Sequence, residues 1–147
     1  PTCDTNEIQD CDHQALMNTY DNTILYTDSM VSKTIDTLKA RQGSMNTALI
    51  YLSDHGESLG ENGVYLHGLP WSIAPETQKH VPMLLWLSED YQQRYGVSSQ
   101  CLQQRAKTDP YSQDNLFSTL LGLLGVDTRE YQATDDILTP CRSETAR

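Results

Sequence analysis

The fold of this chain is decided by residues 50–61, which read IYLSDHGESLGE. The apolar run Ala48–Leu52 stops at Ser53, and a carboxylate, an imidazole and a glycine follow in consecutive positions. An apolar run of this length between polar residues is typical of a strand buried on both faces of a parallel sheet. Because ligands in open α/β sheets bind beyond the carboxyl ends of the strands, we expect Asp54 and His55 to lie at a binding edge.

Asp54 and His55 carry side chains that bind metal ions. A carboxylate oxygen and a neutral imidazole nitrogen are both ordinary Zn²⁺ ligands, and a catalytic zinc needs about three protein ligands plus an open position. Gly56 lets the backbone turn tightly without bringing a side chain near the site. Two adjacent ligands are only half of such a site, and Asp-His pairs also occur in ordinary turns, so the residues alone leave both interpretations open.

A long helix is expected upstream of this strand. Apolar residues recur at steps of three and four from Leu16 to Leu38, which is one face of a helix running from residue 12 to about residue 42. Asp12 is the predicted N-cap, and Gly43 is the predicted stop.

Downstream, residues 57–79 hold several glycines and prolines without clear periodicity, which predicts an active-site loop. Residues 81–87 predict a second buried strand. In the C-terminal third we expect a helix Glu89–Tyr95, which is capped by Ser88 and closed by Gly96. A polar stretch at 100–109, which could be helical, follows it. We also expect a helix from Ser112 or Asp114 to Gly125 and an irregular tail at 126–147 that is anchored by Cys141.

Charge and length limit the function. The 147 residues suffice for one domain with a core, and ten Lys plus Arg against twenty Asp plus Glu give a net charge of −10. This charge disfavours nucleic acid and anionic membrane surfaces as electrostatic partners. No apolar run approaches the ~20 residues that span a bilayer, and no signal peptide is visible. Since the chain begins at Pro1, we expect a soluble piece of something longer.

The four cysteines bear on the cellular compartment of the protein, because disulfides form in oxidising compartments. Cys3 and Cys11 flank a short polar loop, and Cys101 and Cys141 bracket the last third of the chain. No CxxC spacing indicates a zinc ribbon or a thioredoxin-like site. We predict disulfides Cys3–Cys11 and Cys101–Cys141, which imply an oxidising compartment such as the periplasm. Four buried or unpaired thiols are the alternative.

A longer set of motifs resembles known enzymes. The motifs are Asp54–Glu57, Gly60–Gly63, Leu66–Gly68 and Val81–Met83. The first three closely resemble the sulfatase and alkaline-phosphatase superfamily, and the fuller string resembles the lipid A phosphoethanolamine transferases, which include the mobile colistin-resistance enzymes. The resemblance covers nearly the whole chain. It implies an α/β fold with a sulfatase-like sheet flanked by helices, of which residues 1–147 form the C-terminal part as a single domain.

The resemblance also implies a mechanism. In enzymes of this kind a zinc-bound threonine attacks phosphatidylethanolamine, and the head group then passes from the phosphothreonine to lipid A, which gives polymyxin and colistin resistance. Asp54 and His55 match two zinc ligands of the family. His67 matches a histidine beside the transferred head group or a second zinc, and with Glu57 it is the predicted substrate contact. The family's threonine nucleophile and remaining carboxylate ligands lie upstream of Pro1, so we expect this chain alone to be inactive.

The resemblance places the protein on the periplasmic side of the bacterial inner membrane, held there by an N-terminal domain that this chain lacks. Two alternatives stay open from the sequence. The chain could belong to a sulfatase or phosphomonoesterase of the same superfamily, or it could be a non-catalytic fragment that binds a metal ion.

Overall fold

The computed structural model describes residues 1–143, which form a mixture of helices and short strands. Two compact units are present, one made of Pro1–Ala40 and Leu49–Trp86, the other of Arg41–Ala48 and the chain from Leu87 onward. A single domain over residues 1–147 stays a prediction. The helices are α1 (His13–Lys39), α2 (Glu76–Lys79), α3 (Glu89–Tyr95), α4 (Ser99–Arg105) and α5 (Asn115–Leu124), and the strands are β1 (Ala48–Leu52), β2 (Ser58–Leu59), β3 (Tyr65–Leu66) and β4 (Met83–Leu87).

Helix α1 begins where the sequence predicts. Asp12 is its N-cap, and a carboxylate oxygen of Asp12 accepts a hydrogen bond from the N–H of Ala15 (3.2 Å). The helix ends at Lys39, slightly before the predicted end near residue 42, and the chain then turns through Gly43, whose φ is +81°. At 27 residues α1 is about 40 Å long.

Strands β1 and β4 form a two-stranded sheet, but not a parallel one. The N–H of Ser53 donates to the carbonyl oxygen of Pro82 (3.3 Å), and the N–H of Ser88 donates to the carbonyl oxygen of Thr47 (2.9 Å). Because the end of β1 lies beside the start of β4, the two strands are antiparallel. The parallel sheet that was predicted for β1 is therefore wrong for this pair of strands, and β1 is half-buried rather than buried on both faces.

Strand β4 begins two residues later than predicted, at Met83 instead of residue 81. Pro82 has no N–H to give to a neighbouring strand, so it can accept a hydrogen bond at the edge of the ladder but cannot extend the ladder. The predicted loop at 57–79 is also more regular than expected, because β2, β3, a 3₁₀ turn and α2 lie within it.

The core of the first unit is built around the Cys3–Cys11 disulfide, which the structure forms as predicted. Cys3, Leu16 of α1 and Leu59 of β2 pack together as its buried centre. Thr19 of α1 ties the N-terminal segment down, because its hydroxyl oxygen accepts a hydrogen bond from the N–H of Cys3 (2.8 Å). This cluster fixes the position of β2, which lies directly after the predicted metal ligands.

The second unit holds α3, α4 and α5, and its helix ends follow the sequence. Ser88 caps α3 by accepting from the N–H of Tyr91 (3.1 Å), and Gly96 closes it in the left-handed conformation at φ +60°. The predicted polar helix exists as α4, whose Cys101 forms the predicted disulfide with Cys141.

The stretch after α5 was expected to be an irregular tail. It contains only one short 3₁₀ turn within the described residues, at Thr139–Cys141, but part of it is buried. Asp136 and Leu138 are fully buried, and the Asp136 carboxylate accepts hydrogen bonds from the hydroxyl groups of Tyr131 (2.8 Å) and Thr139 (3.1 Å). A Cβ at Gly122 of α5 would overlap this carboxylate. The glycine within α5 therefore makes room for a buried anchor. The predicted tail continues to residue 147, and its last four residues lie outside the described part.

Candidate metal centre

The turn that follows β1 is fixed by its backbone. The Ser53 hydroxyl donates to the carbonyl oxygen of His55 (2.8 Å), and the N–H of Gly56 donates to the carbonyl oxygen of Gln78 (3.0 Å). A Cβ at Gly56 would overlap the carbonyl oxygen of Thr77 and lie 3.0 Å from its carbonyl carbon. Since no side chain fits there, glycine is required where this turn passes α2.

The ring of His55 has a different neighbour at each nitrogen. Its Nδ1 lies 3.1 Å from the carbonyl oxygen of Gly56, and its Nε2 lies 3.7 Å from Oδ2 of Asp54. With the proton on Nδ1 donated to the Gly56 carbonyl, the lone pair of Nε2 is available on the side of Asp54. A backbone carbonyl that holds one ring nitrogen while the other binds a metal is the usual arrangement of histidine ligands. The Asp54 side chain is 89% exposed, so it is accessible to an ion.

Glu57 and His67 form the second half of the cluster. Oε1 of Glu57 lies 2.8 Å from Nδ1 of His67 and 3.8 Å from Nδ1 of His55. The rings of His55 and His67 are stacked, with their centroids 3.6 Å apart. Oε2 of Glu57 is buried and has no hydrogen-bond partner within residues 1–143. A buried oxygen of this kind is costly unless something binds it, which fits a site for a cation.

His67 reaches this position through a hairpin. Strands β2 and β3 are antiparallel, with Ser58 opposite Leu66. The side-chain amide of Gln78, which is buried, donates to the Ser58 hydroxyl (2.9 Å) and to the carbonyl oxygen of Leu66 (3.0 Å). Gly60 makes the turn possible with φ +113°, a conformation that favours glycine. The eleven residues between His55 and His67 therefore fold back on themselves.

Three side chains could hold a metal ion together. One donor atom from each of His55, Glu57 and His67 lies within 4.8 Å of the other two. Two imidazoles and one carboxylate form a common donor set for zinc and for several other divalent metals, so the residues fit a metal ion without fixing its identity. An ion shared with Glu57 would lie on the Nδ1 side of the His55 ring, whereas an ion shared with Asp54 would lie on the Nε2 side.

The predicted site residues are thus close together, and their roles stay predictions. Asp54 and His55, predicted as zinc ligands, face each other. Glu57 and His67, predicted as substrate contacts, lie against His55 and could themselves bind the ion. Glu57 was not predicted as a metal ligand, although a carboxylate two residues after His55 was a visible signal. Gln78, which holds the hairpin, was not predicted either, because no motif marks it.

Comparisons with known proteins agree with these features. The sequence profile of the sulfatase family matches residues 1–126. The chain is 71% identical to phosphoethanolamine transferase EptA of Salmonella typhimurium over 142 residues, which cover 97% of this chain and 26% of that protein. It is 52% identical to phosphatidylethanolamine transferase Mcr-2 of Escherichia coli over 86 residues, which cover 58% of this chain and 16% of that protein.

A solved structure has the same fold. The integral membrane protein lipooligosaccharide phosphoethanolamine transferase A of Neisseria meningitidis superimposes with a TM-score of 0.93 at 49% identity, over 97% of this chain and 26% of that one. This confirms the sulfatase-like α/β fold and the resemblance to phosphoethanolamine transferases. The chain spans about a quarter of the length of EptA and of the Neisseria protein. With a family profile that matches most of its residues, the chain belongs to the sulfatase family.

Proposed function

We propose that this chain is part of a zinc-dependent transferase that moves phosphoethanolamine from phosphatidylethanolamine to lipid A. The observation that carries the proposal is the cluster of His55, Glu57 and His67, with Asp54 beside it, in a chain 71% identical to a phosphoethanolamine transferase. The similarity to a phosphatidylethanolamine transferase supports the lipid donor. Resistance to polymyxins, including colistin, would follow from modified lipid A.

Asp54 and His55 are the proposed zinc ligands, through Oδ2 and Nε2. The carbonyl oxygen of Gly56 supports this choice because it accepts the proton of Nδ1 and so fixes the ring. Zinc bound here would act as a Lewis acid and stabilise the negative charge on the transferring phosphoryl group. The backbone that carries the two side chains is held because the N–H of Gly56 donates to the carbonyl oxygen of Gln78. The threonine nucleophile is not assigned to any residue of this chain.

His67 is the proposed proton donor to the departing diacylglycerol oxygen. Glu57 accepts the proton on Nδ1 of His67, so Nε2 is the nitrogen left to face the substrate. When Nε2 is protonated, its proton can pass to the leaving oxygen as the P–O bond breaks. When it is neutral, the same nitrogen could instead bind a second ion or accept a hydrogen bond from the head group.

The proposed location is the periplasmic side of the bacterial inner membrane. Two disulfides suit an oxidising compartment. The similar Neisseria protein is described as an integral membrane protein, whereas no helix within residues 1–143 is long and apolar enough to cross a membrane. The similarity to that integral membrane protein supports attachment of this protein to the membrane, and nucleic acid is not a proposed partner.

Zinc titration of the purified chain tests the metal centre. The wild-type chain should bind zinc, and both Asp54→Ala and His55→Ala should weaken zinc binding by at least about 100-fold. Loss of a residue that only hydrogen-bonds to a ligand already weakens metal binding by about 10–100-fold, and loss of the ligand itself should cost more. His13→Ala is the matched control, since His13 is an exposed histidine at the start of α1. Unchanged affinity in the Asp54 and His55 variants would refute the assignment.

We expect the activity only in a protein of the length of the similar transferases, because this chain covers 26% of EptA. Asp54→Ala in that protein should abolish transfer of phosphoethanolamine to lipid A, measured by mass spectrometry of the lipid. Release of sulfate or phosphate from soluble esters, without modified lipid A, would instead support the sulfatase or phosphomonoesterase alternative. Zinc binding with neither activity would leave the non-catalytic fragment as the explanation.

A further inference from the structure

An exposed apolar loop lies next to the candidate metal centre. We call residues 66–73 the apolar loop, and His67 is part of it. Its large apolar side chains are all exposed: Leu66, Leu69, Trp71 at 75% and Ile73 at 66%. Exposed apolar residues are ordinary when they are scattered singly, but four in eight consecutive residues make this segment unusually apolar for a surface and suggest contact with another apolar surface.

The apolar loop has a fixed base. The carbonyl oxygen of Leu66 accepts a hydrogen bond from the buried amide of Gln78 (3.0 Å). At the other end, the N–H groups of Ile73 and Ala74 both donate to the carbonyl oxygen of Pro70 (3.0 and 2.9 Å), and Ala74 is buried. Since the ends are held, the exposed side chains of Trp71 and Ile73 do not depend on a flexible segment.

The apolar loop itself contains no acidic residue, although Glu57 contacts its His67 and Glu76 lies three residues beyond it. Residues 62–75 contain no Asp or Glu, although the chain has twenty in 147 residues. The ammonium group of Lys79 lies 5.3 Å from the centre of the Trp71 ring and 2.9 Å from a carboxylate oxygen of Glu76. A tryptophan beside a lysine, with no acidic residue in the loop, suits the headgroup region of a bilayer, where both residue types are enriched at the boundary with water.

We propose that the apolar loop inserts Trp71 and Ile73 into the headgroup region of a bilayer rich in phosphatidylethanolamine. This inference rests on the proposed function, in which the donor is a lipid that must reach the metal centre from a membrane. His67 is in the same loop, so contact of the loop with the bilayer would bring its ring close to lipid head groups. A zwitterionic surface has no net charge, so the overall charge of −10 does not oppose the contact.

Tryptophan fluorescence with vesicles tests the contact. The chain has two tryptophans, Trp71 and Trp86. In vesicles of phosphatidylethanolamine and phosphatidylcholine with brominated acyl chains, the emission of the wild-type chain should be quenched. Trp71→Phe leaves only Trp86, which is half-buried in β4, and its emission should not be quenched. The proposal is overturned if the wild-type emission is not quenched, or if it is quenched equally in Trp71→Phe. The apolar loop would then be a surface that another protein segment covers.

Co-sedimentation with the same vesicles gives the energetics. Ile73→Ser should weaken binding by about tenfold or more, as expected for an apolar side chain removed from a membrane contact. Leu124→Ser is the matched control, because Leu124 is an exposed leucine on α5 with 73% exposure, and its affinity should equal that of wild type. Equal losses in both variants would show non-specific adsorption and overturn the proposal. Circular dichroism confirms that each variant is folded.

The outcome is separable from that of the proposed function. Asp54→Ala should leave vesicle binding unchanged, because Asp54 lies outside the apolar loop. Vesicle binding without transfer in the longer protein would refute the proposed function and keep the bilayer contact. Zinc binding and transfer without vesicle binding would refute the bilayer contact and keep the proposed function.

Discussion

Replacing Gly56 by alanine tests whether the turn after β1 sets both the stability and the metal centre. The added methyl group would overlap the carbonyl oxygen of Thr77 and lie 3.4 Å from the Cα of Gln78, so backbone has to move to accommodate it. Forcing a methyl group into a packed site costs about 1–3 kcal/mol. Losing the hydrogen bond from Gly56 to Gln78 adds about 1 kcal/mol. We therefore expect the free energy of unfolding to fall by about 2–4 kcal/mol.

Urea denaturation measures this change as a lower midpoint at an unchanged slope. Zinc affinity should fall as well, because the displaced Gly56 carbonyl no longer holds Nδ1 of His55. Gly63→Ala is the control: no atom lies within 4 Å of its added Cβ, and its φ of +74° predicts a backbone cost of about 1–2 kcal/mol with unchanged zinc affinity. A wild-type midpoint in Gly56→Ala would refute the packing argument, and reduced stability with intact zinc affinity would refute the link to the metal.

Two further predictions concern catalysis and the disulfides. In the longer protein, His67→Ala should leave the fold and the zinc bound by Asp54 and His55 intact. The rate of phosphoethanolamine transfer should fall by about 10²–10⁴-fold, which is the contribution of a general acid. A wild-type rate would mean that His67 only stabilises the loop, and loss of the zinc would mean that His67 is a metal ligand. Mass spectrometry of unreduced peptides should find Cys3–Cys11 and Cys101–Cys141, and replacing either pair by serine should destabilise the chain, by about 2.6 kcal/mol for the shorter loop and about 3.9 kcal/mol for the longer one. Four alkylatable thiols in protein from the periplasm would contradict the pairing.

The sequence predicted those features of the fold that depend on neighbouring residues. The start of α1 follows from Asp12, whose carboxylate reaches an N–H three residues away. The bounds of α3 follow from Ser88 and Gly96 in the same way, since a cap and a left-handed glycine act within one turn of helix. The motif also marked the position of Asp54 and His55 at the end of β1, because an abrupt change from apolar to polar residues marks a strand end.

Features that depend on distant residues could not be predicted. The apolar run of β1 does not state the direction of the strand beside it, so the antiparallel pairing with β4 was missed. The contact between Glu57 and His67 requires a hairpin fixed by Gln78, twenty residues beyond Ser58. Asp136 was missed for the same reason, since an acidic residue in a polar stretch gives no sign that Gly122 leaves room for it.

The two nitrogens of His55 decide how the cluster works. One ion bound through Nδ1 would displace the hydrogen bond to Gly56 and would compete with Glu57 for the same side of the ring, whereas an ion bound through Nε2 would keep that bond and meet Asp54. The second arrangement keeps the hydrogen bond between Nδ1 of His55 and the carbonyl oxygen of Gly56. Under it, the Glu57–His67 pair stays free of the first ion while its imidazole stacks on the ring of His55. We therefore infer that Asp54 and His55 bind the metal ion, whereas Glu57 orients His67 toward the substrate.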